Sequence, residues 1–467
     1  MSNSKGEGNS DADGGGTNGG ASEGGGEGAR ARRGKGYRRP RALSPLREHL
    51  RDTFWFAPTA AMVLIFVLWT GASALDAAIV RLLQEHQNLA EIDELIRIVN
   101  DIKPVVSTVS SAMMTFIGVV FSISLVAVQM ASGQFTPRVV RIFVRSRITK
   151  LTFAVFLSTF TLSLLVLTSF ESEAEARHVT TVPIVQSVLT LLMVALSLFL
   201  FIAYVNSTLR LMRVGHVVDR ITGECLRVLD RMPRGDFDEA LVGPERGRIG
   251  YVGQSGVLRD VNIARLVRAA KAQGVVLRLL PRIGDFVVPG TPLLSVHGSG
   301  QGDGPTRSAL RYTVMVGVER TFHQDLAFGL RQLCDIALRA LSHAINDPTT
   351  AVLCLDRIVQ LLTVLANRPL GAVGHPDGKG EIRLVQDVPS WADLVDLAFA
   401  EIRLCAVGSP QVTRRIMAGL DDLLRIAPGE RRQPLLRQRE LLAQAVMLAV
   451  PEAERAFALE PDRQGIG

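Results

Sequence analysis

An uncharged stretch, residues 104–137, constrains the fold of this chain more than any other feature. It reads PVVSTVSSAMMTFIGVVFSISLVAVQMASGQFTP and contains no ionisable side chain. Because about 20 consecutive apolar residues suffice for a helix to cross a bilayer, the stretch predicts a membrane span. Small or polar residues recur along it at spacings of 3, 4 and 7, which places them on one helical face. This polar stripe consists of Thr108, Ser111, Thr115, Gly118, Ser122 and Gln129.

Three more apolar stretches bring the predicted number of spans to four. The spans cover about residues 54–75, 105–131, 151–170 and 183–209. Basic residues precede the first span and follow the second and the fourth, whereas acidic residues dominate after the first and the third. By the positive-inside rule, both termini lie in the cytosol. Periodic apolar residues at 79–102 predict an amphipathic helix that continues the first span outward, over the entrance of the second, or lies on its neighbours.

The overall composition agrees with a membrane protein. Hydrophobic residues make up 47% of the chain, mean hydropathy is +0.24 and the net charge is +7. The arginines cluster beside the apolar spans, where lipid headgroups explain them, so no nucleic-acid partner is predicted. The spans contain no Asp, Glu, Lys, Arg or His and therefore no candidate for a charged proton relay. The four cysteines lie far apart in apolar helical patterns and are expected to be reduced core residues.

The predicted fold class is an α-helical membrane protein with four transmembrane helices and a cytosolic α+β part. That part starts with a small unit resembling a β-barrel or sandwich and continues as a helical bundle with a long glycine-rich loop at 368–389. The predicted divisions are a glycine-rich disordered and then basic tail at 1–52, the transmembrane domain at 53–210, a connecting helix and linker at 211–248, the β-rich domain at 249–319, the helical domain at 320–460 and a tail at 461–467.

Polar residues in the helical region form a candidate ligand-binding set. The set consists of Arg320, Gln324, Asp325, Arg331, Asn346 and Asp347. On two helices joined by a tight turn, these side chains face one cleft and bind a ligand, or they are solvated charges and helix caps. Asp347 directly precedes a proline, a pattern typical of a helix N-cap. The eight histidines are scattered and no familiar catalytic motif is present, so no metal, cofactor or catalytic residue is predicted.

Two segments of the sequence carry a family resemblance. They are VQMASGQFTPRVVRIF at 128–143 and RTFHQDLAFGLRQLCDIALRALSHAINDPTTAV at 320–352, and their most specific motifs are QFTPR at 134–138, QD at 324–325 and NDP at 346–348. Over residues 50–460 the chain resembles a bacterial family of predicted membrane proteins called domain of unknown function 2254. The resemblance implies a protein of the bacterial plasma membrane without an assigned biochemical activity.

Three functions remain open at the level of sequence. The leading hypothesis is a homo-oligomeric channel- or transport-like protein whose second span lines or packs a central pathway and whose cytosolic domain senses or gates. The second is a membrane-anchored ligand-binding or signalling scaffold without a pore. The third is a membrane-anchored enzyme that uses the region of Asp325 and Asp347. The polar stripe is interpreted either as a helix-packing face or as a pore lining.

Overall fold

The computed structural model describes residues 53, 55–134, 146–170, 180–232, 239–298 and 313–465. The predicted tail at 1–52 lies outside the described residues, and so do four of the five residues of the motif at 134–138. The same holds for the acidic residues directly after the third span and for most of the basic residues after the second.

The first half of the chain forms a four-helix bundle. Its helices are α1 (Phe56–Glu85), α2 (Leu89–Gln134), α3 (Arg147–Thr168) and α4 (Ile184–Met212). Helix α3 packs against the other three, and 44% of its most apolar segment is buried, compared with 17–22% in the others. Helices α1 and α2 have 30 and 46 residues, which is about 45 and 69 Å. Both therefore extend beyond a bilayer core of about 30 Å.

The extended ends of α1 and α2 form a helical hairpin with its turn at residues 86–88. Apolar side chains between them and the start of α4, including Val80, Ile92, Val99 and Val182, are buried together. The sequence predicts one amphipathic helix over residues 79–102 that either continues the first span or lies on its neighbours. In the structure the turn divides this segment, so that residues 79–85 end α1 and residues 89–102 begin α2.

A buried carboxylate joins α1 to α4. Asp76, directly after the first predicted span, is only 1% exposed. It accepts hydrogen bonds from the backbone N–H groups of Val185 (2.8 Å) and Gln186 (3.3 Å) and from the Gln186 side-chain amide (3.1 Å). These backbone N–H groups belong to the first turn of α4, where helical partners are lacking and the helix dipole favours negative charge. Asp76 thus caps a helix other than its own.

Helix α4 ends abruptly at Arg213. This residue has an extended backbone (φ −80°, ψ 120°), and a new helix, α5 (Val214–Asp230), starts directly after it. The sequence predicts that the fourth span continues as a connecting helix. In the structure α5 is a separate helix, because its apolar face with Val217, Ile221 and Leu229 is buried in the core of the helical region.

The β-strands of the described residues form two sheets. The strands are β1 (Glu245–Gly250), β2 (Gly256–Val261), β3 (Val276–Leu279), β4 (Phe286–Val287), β5 (Pro292–His297), β6 (Val314–Gly317), β7 (Ala372–Pro376) and β8 (Ile382–Asp387). One sheet has the order β1-β5-β3-β8-β7 and the other β4-β2-β6, and all pairings are antiparallel except that of β3 with β8. The apolar face of α6 (Ile263–Ala272) completes the core beneath them.

The sheets extend beyond the predicted boundaries of the β-rich domain. The larger sheet starts before residue 249, and it includes the hairpin β7–β8 from the region that the sequence assigns to a loop of the helical domain. The predicted β-rich unit at 249–319 therefore omits the start of β1 and all of the hairpin β7–β8. The hairpin joins the sheet through the parallel pairing of residues 277–279 with residues 384–386, a contact between segments that lie far apart in the chain.

The remaining helices surround one large apolar core. They are α7 (Leu326–Ala340), α8 (Pro348–Leu365), α9 (Trp391–Ala406), α10 (Pro410–Ile426), α11 (Arg432–Ala449) and α12 (Glu452–Leu459). Helix α8 contributes nine buried residues. By length and composition it is a fifth candidate span beside α1 to α4, so the described residues contain five candidates and not the four predicted. Cys225, Cys334 and Cys354 are buried as predicted, whereas Cys405 is exposed.

Candidate functional site

The start of α7 is organised by a buried ion pair. Asp325 is the N-cap of this helix and accepts a hydrogen bond from the Phe328 backbone N–H (3.0 Å). Arg320 donates to both carboxylate oxygens (2.7 and 2.8 Å). Burial raises the pKa of the Asp325 carboxyl above its ordinary value, against the opposing effect of Arg320. Gly284 (φ +101°) approaches this pair so closely that a Cβ atom there would lie 2.6 Å from the Asp325 carboxylate.

Gln324 attaches the segment before α7 to the smaller sheet. Its side-chain amide donates to the Val261 carbonyl (3.0 Å) and accepts from the Val261 N–H (3.1 Å). Val261 is the last residue of β2, and the Gln324 side-chain amide bonds to its N–H and carbonyl as the backbone of a paired strand would. Three residues of the predicted set, Arg320, Gln324 and Asp325, therefore lie together and connect α7 to the sheets.

The other three predicted residues lie elsewhere. Arg331 donates to Asp335 (2.7 Å) and to both oxygens of Glu401 (2.6 and 2.9 Å), which joins α7 to α9. Asn346 (φ +46°) forms the turn after α7, and Asp347 caps α8 by accepting from the Thr350 N–H (3.0 Å). Helix α7 has 15 residues and is about 22 Å long. The six residues therefore do not share one cleft, although the predicted cap at Asp347 is confirmed.

The structure contains a different cleft, which we name the junction cleft. It lies where the end of α5, the start of α7 and the hairpin β7–β8 meet, and it has about 570 Å³ of space, part of it open to solvent. Its polar lining includes Arg231, Arg282, His323, Gln324, His375 and Gln386. Apart from Gln324, sequence analysis did not select these residues, because they are spread over residues 231–386 without a motif.

Charges around the junction cleft are unevenly compensated. Its two carboxylates are both paired, Asp325 with Arg320 and Asp387 with Arg278 (2.9 Å). Arg282 pairs with Asp393 (3.0 Å), and both side chains are about half exposed. Burial raises the pKa of Asp393, but hydrogen bonds from Ser390 and Arg282 more than offset this and hold the pKa below its ordinary value. Within the described part of the chain, Arg231 forms no ion pair with a carboxylate.

The polar stripe of α2 lies on the outside of the bundle. Val106, Ser110, Met113, Val120 and Ala127 of the same helix are buried against the other helices. At 100° per residue, the six stripe residues lie about 180° away from these, and all six are exposed.

Hydroxyl groups of the stripe are bonded within their own helix. The carbonyls one turn earlier accept from Thr108 (2.8 Å), Ser111 (3.3 Å) and Thr115 (3.4 Å). Inside the bundle, by contrast, Thr159 of α3 bonds to Ser197 of α4 (3.0 Å). Small polar residues therefore connect helices within the bundle, whereas Thr108, Ser111 and Thr115 of the stripe bond to their own helix.

The described residues thus define a class: a bundle of long apolar helices of membrane-spanning length, joined to a mixed α/β part. The chain belongs to a family described as predicted membrane protein, domain of unknown function 2254 (DUF2254), whose model matches residues 51–422. Uncharacterised proteins of Mycobacterium bovis and Mycobacterium tuberculosis are 30% identical to it over 375 residues, which cover 78% of this chain and 70% of theirs. No solved structure matches the chain. The resemblance noted in the sequence is thereby confirmed.

Proposed function

We propose that this protein is a homo-oligomeric channel- or transport-like protein of the bacterial plasma membrane. Four helices, α1 to α4, span the membrane, both termini lie in the cytosol, and the α/β part acts as a cytosolic sensing or gating domain. The observation that carries the proposal is the outward position of the polar stripe on α2. Asp325 and Asp347 both cap helices and lie at opposite ends of α7, which argues against the third hypothesis, an enzyme that uses them together.

Assignment of four spans rests on the surroundings of the fifth apolar helix. Helix α8 is half buried over its apolar segment and packs within the core of the α/β part. It is also the least apolar of the five candidates. We therefore assign α8 to the cytosolic domain. The charges flanking the other four helices support the proposed orientation by the positive-inside rule.

Contact between two copies of the chain gives the polar stripe a role that it does not have in a single copy. Interiors of membrane bundles are enriched in small and polar residues, whereas a face of Thr, Ser, Gly and Gln gains little from contact with lipid. The centre of the bundle is filled by side chains such as Val106, Leu162, Phe156 and Tyr204. A pathway through one copy has no room, so a pathway would lie between copies, lined by the stripe.

The second hypothesis, a scaffold without a pore, is favoured by the hydrogen bonds of the stripe. Because the Thr108, Ser111 and Thr115 hydroxyls already bond to their own helix, this face tolerates dry contact with another helix. Close helix packing then replaces the water-filled pathway. Both hypotheses require an oligomer, and they differ in whether water reaches the stripe.

Gly118→Leu tests the oligomer. A Cβ atom at Gly118 meets no atom within 4 Å, so a larger side chain leaves the single chain undisturbed. Gly71 of α1 is equally exposed and equally free of neighbours, which makes Gly71→Leu the matched control. We expect Gly118→Leu, and not Gly71→Leu, to change the mass of the purified protein in detergent or its flux in liposomes. Unchanged mass and unchanged flux in both variants would contradict an oligomer built on the stripe.

Water access separates pore from scaffold. Ser122→Cys places a thiol on the stripe, and Phe121→Cys places one on an exposed apolar flank of the same helix. In a pore, a small hydrophilic thiol reagent labels Ser122→Cys faster than Phe121→Cys. Equal protection of both thiols, in a protein that remains oligomeric, would refute the pore and leave the scaffold.

A further inference from the structure

We propose that the junction cleft is a binding site for a small molecule that carries a phosphate or carboxylate group next to an apolar body. The family description assigns no site, and of the predicted residue set only Gln324 and Asp325 line this cleft. Binding itself is independent of the proposed function. Only the regulatory consequence drawn below rests on it.

The charge of the cleft selects an anion. Its two acidic residues, Asp325 and Asp387, are each neutralised by an arginine that donates to them. Arg231 has no carboxylate partner among the described residues, and it is exposed at the end of α5. Arg282 is held by a half-exposed pair with Asp393. Exposed pairs of this kind contribute little to stability, so an incoming anion can compete for Arg282.

The remainder of the cleft selects an apolar body. Val228, Met232, Ile263, Ile283 and Val373 line it together with the arginines. Three of them, Val228, Ile263 and Val373, are almost fully buried in the protein and form a fixed apolar wall. Small-molecule sites have this general character, a mostly apolar surface with a few placed polar groups. A bare inorganic anion would leave the wall unused.

Position gives the cleft a regulatory use. Its lining comes from the end of α5, the segment after β3, the start of α7 and the hairpin β7–β8. A bound ligand therefore contacts both the sheets and α5. Since only Arg213 separates α5 from the fourth span, a ligand that binds one arrangement of these elements better than another shifts the bundle as well.

The test uses the full chain in detergent, with thermal unfolding followed by tryptophan fluorescence. AMP serves as the probe, and inorganic phosphate and adenosine serve as controls at matched ionic strength. A ligand that binds the folded protein raises the unfolding temperature with concentration. We expect a saturable rise with AMP, a smaller one with phosphate and none with adenosine.

Variants locate the effect. Arg231→Gln and Arg282→Gln should each weaken the apparent affinity for AMP by about tenfold, the loss expected for one charge-assisted hydrogen bond. Arg227 lies one turn earlier on α5 and pairs with Glu224 (2.6 Å), so Arg227→Gln is the matched control and should bind as the wild type does. Neither cleft arginine is fully buried, and the single variants should therefore fold.

Three outcomes would overturn the proposal. The site is refuted if neither AMP nor phosphate gives a saturable shift of the unfolding temperature. It is also refuted if the shift persists unchanged in the Arg231→Gln and Arg282→Gln variants. If phosphate acts as strongly as AMP, the apolar part is refuted. A protein that binds AMP but shows no flux in liposomes contradicts the channel and not the cleft.

Discussion

Removing Arg320 is expected to damage the protein more than removing the charge of its partner. Arg320→Ala leaves the Asp325 carboxylate, whose side chain is 2% exposed, without a cation. Loss of one partner from a buried pair costs about 3–5 kcal/mol of unfolding free energy. Asp325→Asn keeps an oxygen for the Phe328 N–H and leaves Arg320, which is 29% exposed, able to reach water. Asp325→Asn should therefore lower the free energy of unfolding by about 1.5–3 kcal/mol, the value of a charge-assisted hydrogen bond.

The double variant gives the decisive comparison. Arg320→Ala with Asp325→Asn no longer buries an unpaired charge, so it should unfold at a higher temperature than Arg320→Ala alone. Glu401→Gln is the control, because this carboxylate is 53% exposed and its partner Arg331 keeps Asp335. Its cost should be about 1 kcal/mol or less. The measurement is the unfolding temperature of the full chain in detergent, and a double variant less stable than Arg320→Ala would refute the reasoning.

Three shorter predictions concern orientation and helix caps. In intact cells, an impermeant thiol reagent should label Glu94→Cys, whereas the native exposed Cys405 should react only after permeabilisation; the reverse pattern would overturn the proposed orientation. Asp347→Ala should cost about 0.5–2 kcal/mol in unfolding experiments and Asp347→Asn little, and loss of function in a stable Asp347→Asn variant would show that the charge has another task. Asp76→Ala should lower the unfolding temperature, because the backbone N–H groups of Val185 and Gln186 at the start of α4 lose their acceptor. Full stability of that variant would contradict the capping role.

Part of the candidate site followed from the sequence. Asp347 before a proline is a local signal, and Asp347 caps the predicted helix. The sequence left two interpretations of Asp325 and Asp347 open, one shared cleft or helix caps, and in the structure both residues are helix caps with a full helix between them. Of the residues that line the junction cleft, sequence analysis selected only Gln324 and Asp325, since the walls come from segments that only the fold brings together.

The sequence by itself determined the apolar helices of the first half and the periodicity of the stripe, because hydropathy and helical spacing are local properties. The tertiary structure decided which face of α2 points outward, since that depends on the shapes of α1, α3 and α4. It also decided that the segment of β7 and β8 is a hairpin. A short segment rich in glycine forms strands when a neighbouring edge is available, and β3 supplies that edge through a parallel pairing with β8.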